Sequence, residues 1–238
     1  MKAEPKGAFP YKPPSKEILK EYEHIFQIQD PLPDRFWKLV FDKGFSFLII
    51  VLSFPLILIV CVSYIIEGLL IKKNKGPIFF FYWAVSGGKK FAKYKIRLIK
   101  QEFIDQNLAR ENNWLAYSSE WSRESRTFTG SLVKKYYLDE IPQFFSILKG
   151  EMSIVGPRPL SEMHYERDIA QGNVTRKLLK GGMLGLGHIN KGTDLMGDPS
   201  FEYEYIDEYL KRSSFRLMCL DIWIIYKGII LIIKGGGH

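Results

Sequence analysis

Tyr137-Leu-Asp-Glu-Ile-Pro-Gln-Phe-Phe-Ser-Ile-Leu-Lys-Gly150, followed shortly by Gly156-Pro-Arg-Pro159, is the stretch around which the rest of the chain is organised. At about 100° per residue, Ile141, Phe144, Phe145 and Leu148 fall on one stripe, and Asp139, Gln143 and Ser146 share the opposite side. That spacing predicts a short amphipathic helix with acids at its start. Pro142 is tolerated in a first turn, where its missing N–H costs nothing, and Lys149-Gly150 reads as a charged last turn with a glycine stop. Carboxylates near a helix N-terminus are favoured by roughly 0.3 to 1 kcal/mol in any protein, so Asp139 and Glu140 alone read as helix-end electrostatics. Their company changes the balance. Arg158 stands between two prolines whose rings push Gly156 and Arg158 towards extended conformations, and a guanidinium on so stiff a stem suits a phosphate. An ordinary rigid loop is the plainer reading of the same four residues.

The chain has 238 residues and a formal net charge of +8, enough for one domain of moderate size or one domain plus an anchor. A basic surface attracts nucleic acid, anionic lipid or phosphorylated substrates, and charge alone does not choose among them. The apolar stretch does. From Phe45 to Ile66 there is no charged residue, and about 22 residues at 1.5 Å each give roughly 33 Å, enough to cross a hydrocarbon core. It starts too deep in the chain for a signal peptide. Arg35, Lys38 and Lys43 precede it and Lys72, Lys73 and Lys75 follow it, so both flanks carry the basic residues of a cytoplasmic side. Pro55 removes a backbone hydrogen bond near the middle, a natural place for a bend. A re-entrant helix that enters and leaves on one side is therefore expected, with a kinked spanning helix as the alternative. Cys61 and Cys219 lie in apolar surroundings and read as reduced thiols; no zinc-type spacing exists.

Four segments are read around this core: a proline-rich extension over 1–34, the membrane helix with its flanks over 35–75, a catalytic domain over 76–214, and an amphipathic helix with a tail over 215–238. In the extension, Ser15 caps an expected surface helix with Ile18, Leu19, Tyr22, Ile25 and Phe26 as its stripe. Gly76 to Arg97 has a hairpin pattern, strand-like runs around the turn Ser86-Gly-Gly-Lys-Lys90. Lys89, Lys90, Lys93, Lys95 and Arg97 read equally as a membrane-facing basic edge. Lys100 to Ser131 offers no legible chemistry. Glu162 to Lys180 alternates acids and bases as a solvated face would, with His164 exposed on it. Lys180 to Gly192 is glycine-rich, a place where backbone could approach a nucleotide, yet it fits no P-loop or dinucleotide fingerprint. Glu202 to Asp207 is an acidic, tyrosine-rich patch. Asp221 and Lys227 argue against a second crossing by the C-terminal helix.

The run Lys134 to Leu160 resembles the signature of the bacterial sugar transferases, the monotopic phosphoglycosyl transferases, and a weaker likeness extends over about Trp37 to Lys234. The resemblance implies an α+β fold: a small globular cytosolic catalytic domain, anchored by the re-entrant helix, with amphipathic interfacial helices. It implies transfer of a sugar-1-phosphate from a UDP-linked nucleotide sugar to polyprenol phosphate, the first membrane step of a surface glycan. The enzyme would sit among phospholipids on the cytoplasmic face of a bacterial inner membrane. Asp139 becomes the nucleophile, Asp139 and Glu140 the Mg²⁺ ligands, and Lys134, Arg158, Arg97 and Gln143 the phosphate and substrate contacts. Ser53 and Pro55 mark the helix break. Departures from the family pattern fall at Trp83 and Lys134, where arginine is usual, at Gly181 for proline and at His188 for glutamine; Ser53 stands one place further from the proline than in the family. A weak or inactive membrane-bound scaffold of the same fold is the rival reading. No nucleic-acid module is present, and whether subunits pair is left open, as is the sugar carried.

Overall fold

The computed structural model describes residues 4–187 and 197–233. Its elements run α1 (Lys16–Glu21), α2 (Glu23–Phe26), α3 (Phe36–Leu70), β1 (Phe79–Ser86), β2 (Lys89–Ile96), α4 (Gln106–Arg110), α5 (Phe128–Lys135), α6 (Gln143–Lys149), β3 (Ser153–Val155), β4 (Leu160–Ser161), α7 (Glu162–Ala170), α8 (Thr175–Leu178), β5 (Gly182–Leu184), α9 (Ser200–Lys211) and α10 (Ser214–Ile233). Helix and strand are mixed, as expected. The chain divides into two compact units that interleave along the sequence: one is built mainly from Ser46–Trp83 and Ala92–Ser146, the other from Phe9–Phe45, Ala84–Phe91 and the chain from Ile147 onward.

α3, which belongs to the first unit from Ser46 onward, is the one helix among the described residues long and apolar enough to cross a membrane. Phe47, Leu52, Phe54, Ile59, Leu69 and Leu70 are all exposed along it, a surface suited to lipid and costly in water. Pro55 lies inside a continuous helical run, so the sequence-level break is, in the structure, a position within one helix. Lacking an N–H, Pro55 leaves the Val51 carbonyl without its helical donor. Ser53 does not serve that carbonyl; its hydroxyl donates to Ile50 instead, at 3.3 Å, as its displaced position in the sequence would suggest. Further along, Val60 and Tyr64 turn inward and join Ile96, Leu98, Ile99, Ile104 and Val133 in the core. At the helix end, Glu67 accepts from the main-chain N–H groups of Phe128 (2.8 Å) and Thr129 (2.9 Å) and from Asn74 Nδ2 (2.8 Å). The apolar helix thus ends bonded to the start of α5, satisfying two of that helix's free N–H groups.

The second unit is tied together by buried charge. Lys38 Nζ donates to Asp221 Oδ2 (2.7 Å) and to the Val155 carbonyl (3.0 Å), while Tyr205 donates its phenol to Asp221 Oδ1 (2.7 Å). Asp42 accepts from Ser153 Oγ (2.7 Å) and from the Ile154 N–H (3.3 Å). Lys38 is therefore an internal ion-pair partner, and Asp221 lies on the packed side of α10, which explains how a carboxylate stands in so apolar a helix. Tyr203, Tyr205 and Tyr209 of α9 are buried, so the acidic, tyrosine-rich patch is a packed helix face. His164, expected exposed, is buried on α7. Ser15 caps α1 through the Ile18 N–H as anticipated. β3 and β5 pair in parallel with Ser153 opposite Gly182 and Val155 opposite Leu184, and β4 pairs antiparallel with β1. A Cβ on Gly182 would stand 2.1 Å from the Gly156 nitrogen, and one on Gly181 would stand 2.6 Å from the Pro159 side chain. These two glycines let the 156–159 loop pack closely. His188, also in the glycine-rich run, lies outside the described residues.

Candidate active site

The helix expected over 137–150 is shorter than the sequence suggests. Asp139 and Glu140 lie in a separate 3₁₀ turn, Leu138–Glu140, ahead of α6. Pro142, which has no N–H to carry the ladder on, lies between that turn and α6, and ahead of the turn stands Tyr137. Its φ of +56° is left-handed, a conformation that costs a non-glycine residue of order 1 to 2 kcal/mol and turns the chain sharply between α5 and the acids. The buried face of the helix is mixed, with Ile147 on it beside two polar residues. Gln143 and Ser146 are buried, whereas Phe145 of the apolar stripe is 53% exposed. Polar side chains point inward here because they belong to a buried polar site.

That site is assembled within the first unit. Asp139 is fully buried, and Leu138 beside it packs against the core. Lys95, from the end of β2, brings its ammonium to 2.9 Å from Asp139 Oδ2 and 3.5 Å from Glu120 Oε1. Lys134, from the last turn of α5, lies 4.0 Å from the same Asp139 oxygen. α5 is seated by Gly130, whose missing Cβ would fall 2.0 Å from the Leu98 carbonyl, and by Thr127, which caps the helix through the Gly130 N–H at 2.8 Å. The strand that carries Lys95 and the helix that carries Lys134 are therefore fixed to each other two residues beyond β2. Burial pulls the Lys95 ammonium down, but Glu120, Asp139 and Glu140 outweigh it and hold the group well above its usual range. Lysine stays charged throughout the physiological range as a result.

The contact between Lys95 and Asp139 is ionic without hydrogen-bond alignment, and neither Asp139 oxygen has a hydrogen-bond partner; the Gln143 Nε2 is likewise unpaired. A buried carboxylate with open lone pairs is expensive unless something else is meant to bind there. Asp139, Glu120 and Glu140 against Lys95 and Lys134 leave the cluster with one excess negative charge. Two adjacent carboxylates are the donor type that a hard divalent cation takes when it completes its shell with substrate phosphates. No group of three or more candidate metal ligands exists among the described residues, so such an ion would depend on its substrate.

Of the residues singled out in the sequence, Asp139, Glu140, Lys134 and Gln143 come together in this unit. Arg97 is placed differently from the expected phosphate contact. It is 1% exposed, and its guanidinium donates to the carbonyls of Pro77 (2.7 Å), Ile99 (2.5 Å) and Asn74 (2.9 Å). Tyr64 in turn donates to the Arg97 carbonyl. Arg97 clamps three chain segments. Arg97→Ala should lower the stability of the purified protein by about 3 kcal/mol or more, since three buried carbonyls lose their donors, and thermal unfolding in detergent checks it. An undiminished melting temperature would return Arg97 to the substrate. Arg158 belongs to the second unit, half-buried in the 156–159 loop, with its own carbonyl accepting from Arg176 Nε at 2.9 Å. Lys95 and Glu120 went unread as site residues in the sequence. For Lys95 a signal existed, because Phe91, Lys93 and Lys95 share one strand face and all three are buried. Glu120 had none, lying in a 3₁₀ segment without periodicity.

The mixed helix-and-strand chain thus joins a buried acid–ammonium centre to one helix long and apolar enough to cross a membrane. The profile of one family, described as bacterial sugar transferase, matches residues 33–235, and the chain belongs to that family. It is 31% identical over 229 residues to the undecaprenyl-phosphate galactose phosphotransferase of Salmonella typhimurium, covering 90% of this chain and 44% of that protein. It is 27% identical to a UDP-N-acetylgalactosamine-undecaprenyl-phosphate N-acetylgalactosaminephosphotransferase of Aeromonas hydrophila, covering 91% and 49%. With the exopolysaccharide production protein ExoY of Sinorhizobium fredii it shares 28% identity over 82% of this chain and 81% of that one. The chain thus spans less than half of the first two relatives and most of the third.

Proposed function

We propose that this chain transfers a sugar-1-phosphate from a UDP-sugar to polyprenol phosphate, with Asp139 as nucleophile. The observation that carries the reading is the buried Asp139 carboxylate, held by Lys95 at 2.9 Å with both oxygens still lacking hydrogen-bond partners. One of those oxygens attacks the phosphorus that bears the sugar, and the bond to the bridging oxygen breaks. UMP departs with that electron pair, leaving an aspartyl-phosphosugar. A phosphate oxygen of the polyprenol phosphate then attacks the same phosphorus, restoring the carboxylate and forming the polyprenyl diphosphate sugar. One hard displacement becomes two easier ones. Lys95 pairs with the Asp139 carboxylate, and Lys134, a third exposed, lies within reach of charge as it moves onto the departing phosphate. Asp139 and Glu140 would hold Mg²⁺, which supplies Lewis-acid stabilisation of the diphosphate when bound. Arg158 is assigned to phosphate on the strength of its stiff sequence setting. The relatives' names, with undecaprenyl phosphate as acceptor and galactose or N-acetylgalactosamine as cargo, support the substrate class. Incubating the protein with donor alone and digesting it tests the nucleophile: a phosphosugar mass on the peptide that contains residue 139 is expected, and its absence together with UMP release would assign the chemistry elsewhere.

An active centre fixed at the headgroup plane suits an acceptor whose tail never leaves the bilayer. We place the catalytic residues on the cytoplasmic face of the inner membrane and α3 as re-entrant, because Lys43 lies ahead of its apolar part and Lys72, Lys73 and Lys75 lie after it, with Pro55 as the bend. Single cysteines at residues 43 and 73, in a Cys61→Ser, Cys219→Ser background, should both react only from the cytoplasmic side. Labelling from opposite sides would make α3 a spanning helix.

A further inference from the structure

The extension ahead of the family match docks onto the unit that carries Arg158. Two main-chain bonds pin it: the Lys12 N–H donates to the Gly197 carbonyl (3.1 Å), and Asn173 Nδ2 donates to the Lys12 carbonyl (3.0 Å). The fit is close, for a Cβ on Gly197 would stand 2.0 Å from the Pro10 carbonyl oxygen. Phe9 packs on His164, ring centroids 5.4 Å apart, beneath the Arg167 guanidinium at 4.9 Å. The Tyr11 ring lies 4.1 Å from the guanidinium carbon of Arg176.

Arg176 is the centre of this arrangement. It is buried, and all three guanidinium nitrogens are engaged: Nε with the Arg158 carbonyl (2.9 Å), and the other two with Asp168 (2.8 Å) and Glu202 (2.5 Å). Thr175 holds the second Glu202 oxygen at 2.6 Å. With the edges of the guanidinium fixed, its face is the part left to cover, and a ring on that face excludes water and adds a cation–π attraction. Burial pushes the Tyr11 phenol up even though Arg176 and Arg158 both pull it down, so the ring is neutral and the positive field of Arg158 reaches it.

We propose that Tyr11, supplied by the N-terminal extension, is a positioning residue: by covering Arg176 it fixes the guanidinium that holds the Arg158 carbonyl, and so sets the loop that presents Arg158 to donor phosphate. This rests on the reading of Arg158 as a phosphate ligand. It gives the extension a role in the reaction without contact with substrate, and it extends the working site beyond the residues that the family match covers.

The test uses the full chain in detergent, with Tyr11→Ala and Tyr11→Phe made alone and in an Arg158→Ala background. Amide exchange at Gly156 and Gly182, whose N–H groups bond the Leu184 and Pro157 carbonyls at 2.8 Å, reads the loop without any turnover. Tyr11→Ala should speed that exchange roughly fivefold and Tyr11→Phe should restore most of it, because Phe keeps the ring that covers Arg176. Unchanged exchange in Tyr11→Ala overturns the proposal. In turnover, Tyr11→Ala should raise donor KM roughly fivefold with kcat within about twofold, and the effect should vanish in Arg158→Ala. An equal loss in both backgrounds, or a fall in kcat alone, overturns it as well. A wild-type chain that releases no UMP from any donor would sink the proposed function, while the exchange arm would still decide the role of Tyr11.

Discussion

Asp139→Asn should lower UMP release from UDP-sugar by at least about a thousandfold while leaving the protein folded. The amide fills the same volume in the same 3₁₀ turn, so the packing of Leu138 and the seat of α5 are undisturbed. Lys95 keeps Glu120 at 3.5 Å as its counter-charge, so no buried ammonium is stranded. What is lost is the anionic oxygen that attacks phosphorus, together with one of two carboxylates available to a divalent cation. The measurement pairs initial rates with thermal unfolding: a large loss of rate at an unchanged melting temperature is the expected pattern. A variant that retains a tenth of the rate would move the nucleophile to another group, with Glu140 the first to examine. A variant that is both inactive and unfolded would be rescued for the purpose by donor binding to Asp139→Glu, which keeps the charge but displaces the attacking oxygen.

Much of this centre was legible from local pattern, and the part that was not has a physical cause. Asp139 and Glu140 stood out because a short helix and then a rigid Pro-Arg-Pro loop follow them in the sequence. The hairpin was visible in its alternation and its paired glycines, which turn out to hold φ of +56° and +70° at Gly87 and Gly88. The long apolar helix was visible in the absence of charge from Phe45 to Ile66. What misled was the assumption that apolar stripes face inward. Around α6 the buried side holds Gln143 and Ser146 as well as Ile147, since the polar pair borders a charged centre, and the periodicity of a helix reports amphipathicity but not which face meets solvent.

Burial of cations was the other blind spot. Lys38 read as a basic flank of the apolar segment, and Lys93, Lys95 and Arg97 as a membrane-facing edge or, for Arg97, a substrate contact; all four are buried. Most of their partners lie far away in sequence: Asp221 for Lys38, Glu120 and Asp139 for Lys95, and the Asn74 and Pro77 carbonyls for Arg97. A lone sequence carries no record of such pairings, because ion pairs and carbonyl clamps are made by tertiary contact. The close-approach glycines tell the same story from the other side. Gly181 and Gly182 read as a nucleotide-facing run, yet at these two positions the neighbour is the Pro-Arg-Pro loop itself.

Lys95→Met should be the most damaging single change to stability near the site. Methionine matches the length of the lysine stem, so the variant removes charge with little loss of packing. It leaves Asp139 fully buried without its nearest cation and strips Glu120 of its partner, with only Lys134, at 4.0 Å and partly exposed, to compensate. Removing one member of a buried ion pair typically costs about 3 to 5 kcal/mol. The sign of the pH dependence separates this cause from a packing defect. In the wild type the folded-state ammonium sits above its ordinary value, so its contribution is complete at every pH below that ordinary value and is lost only as pH rises through the folded one. The contribution of the Lys95 ammonium is therefore flat between pH 5 and 8. Lys95→Met lacks it, so the stability deficit of the variant should be the same at pH 5 and pH 8 and should shrink only as pH rises past the ordinary lysine range, where the wild type begins to lose what the variant never had. A deficit that stays constant into that alkaline range would mean that Lys95 acts by packing, and the electrostatic account of Lys95 and Asp139 would have to be given up.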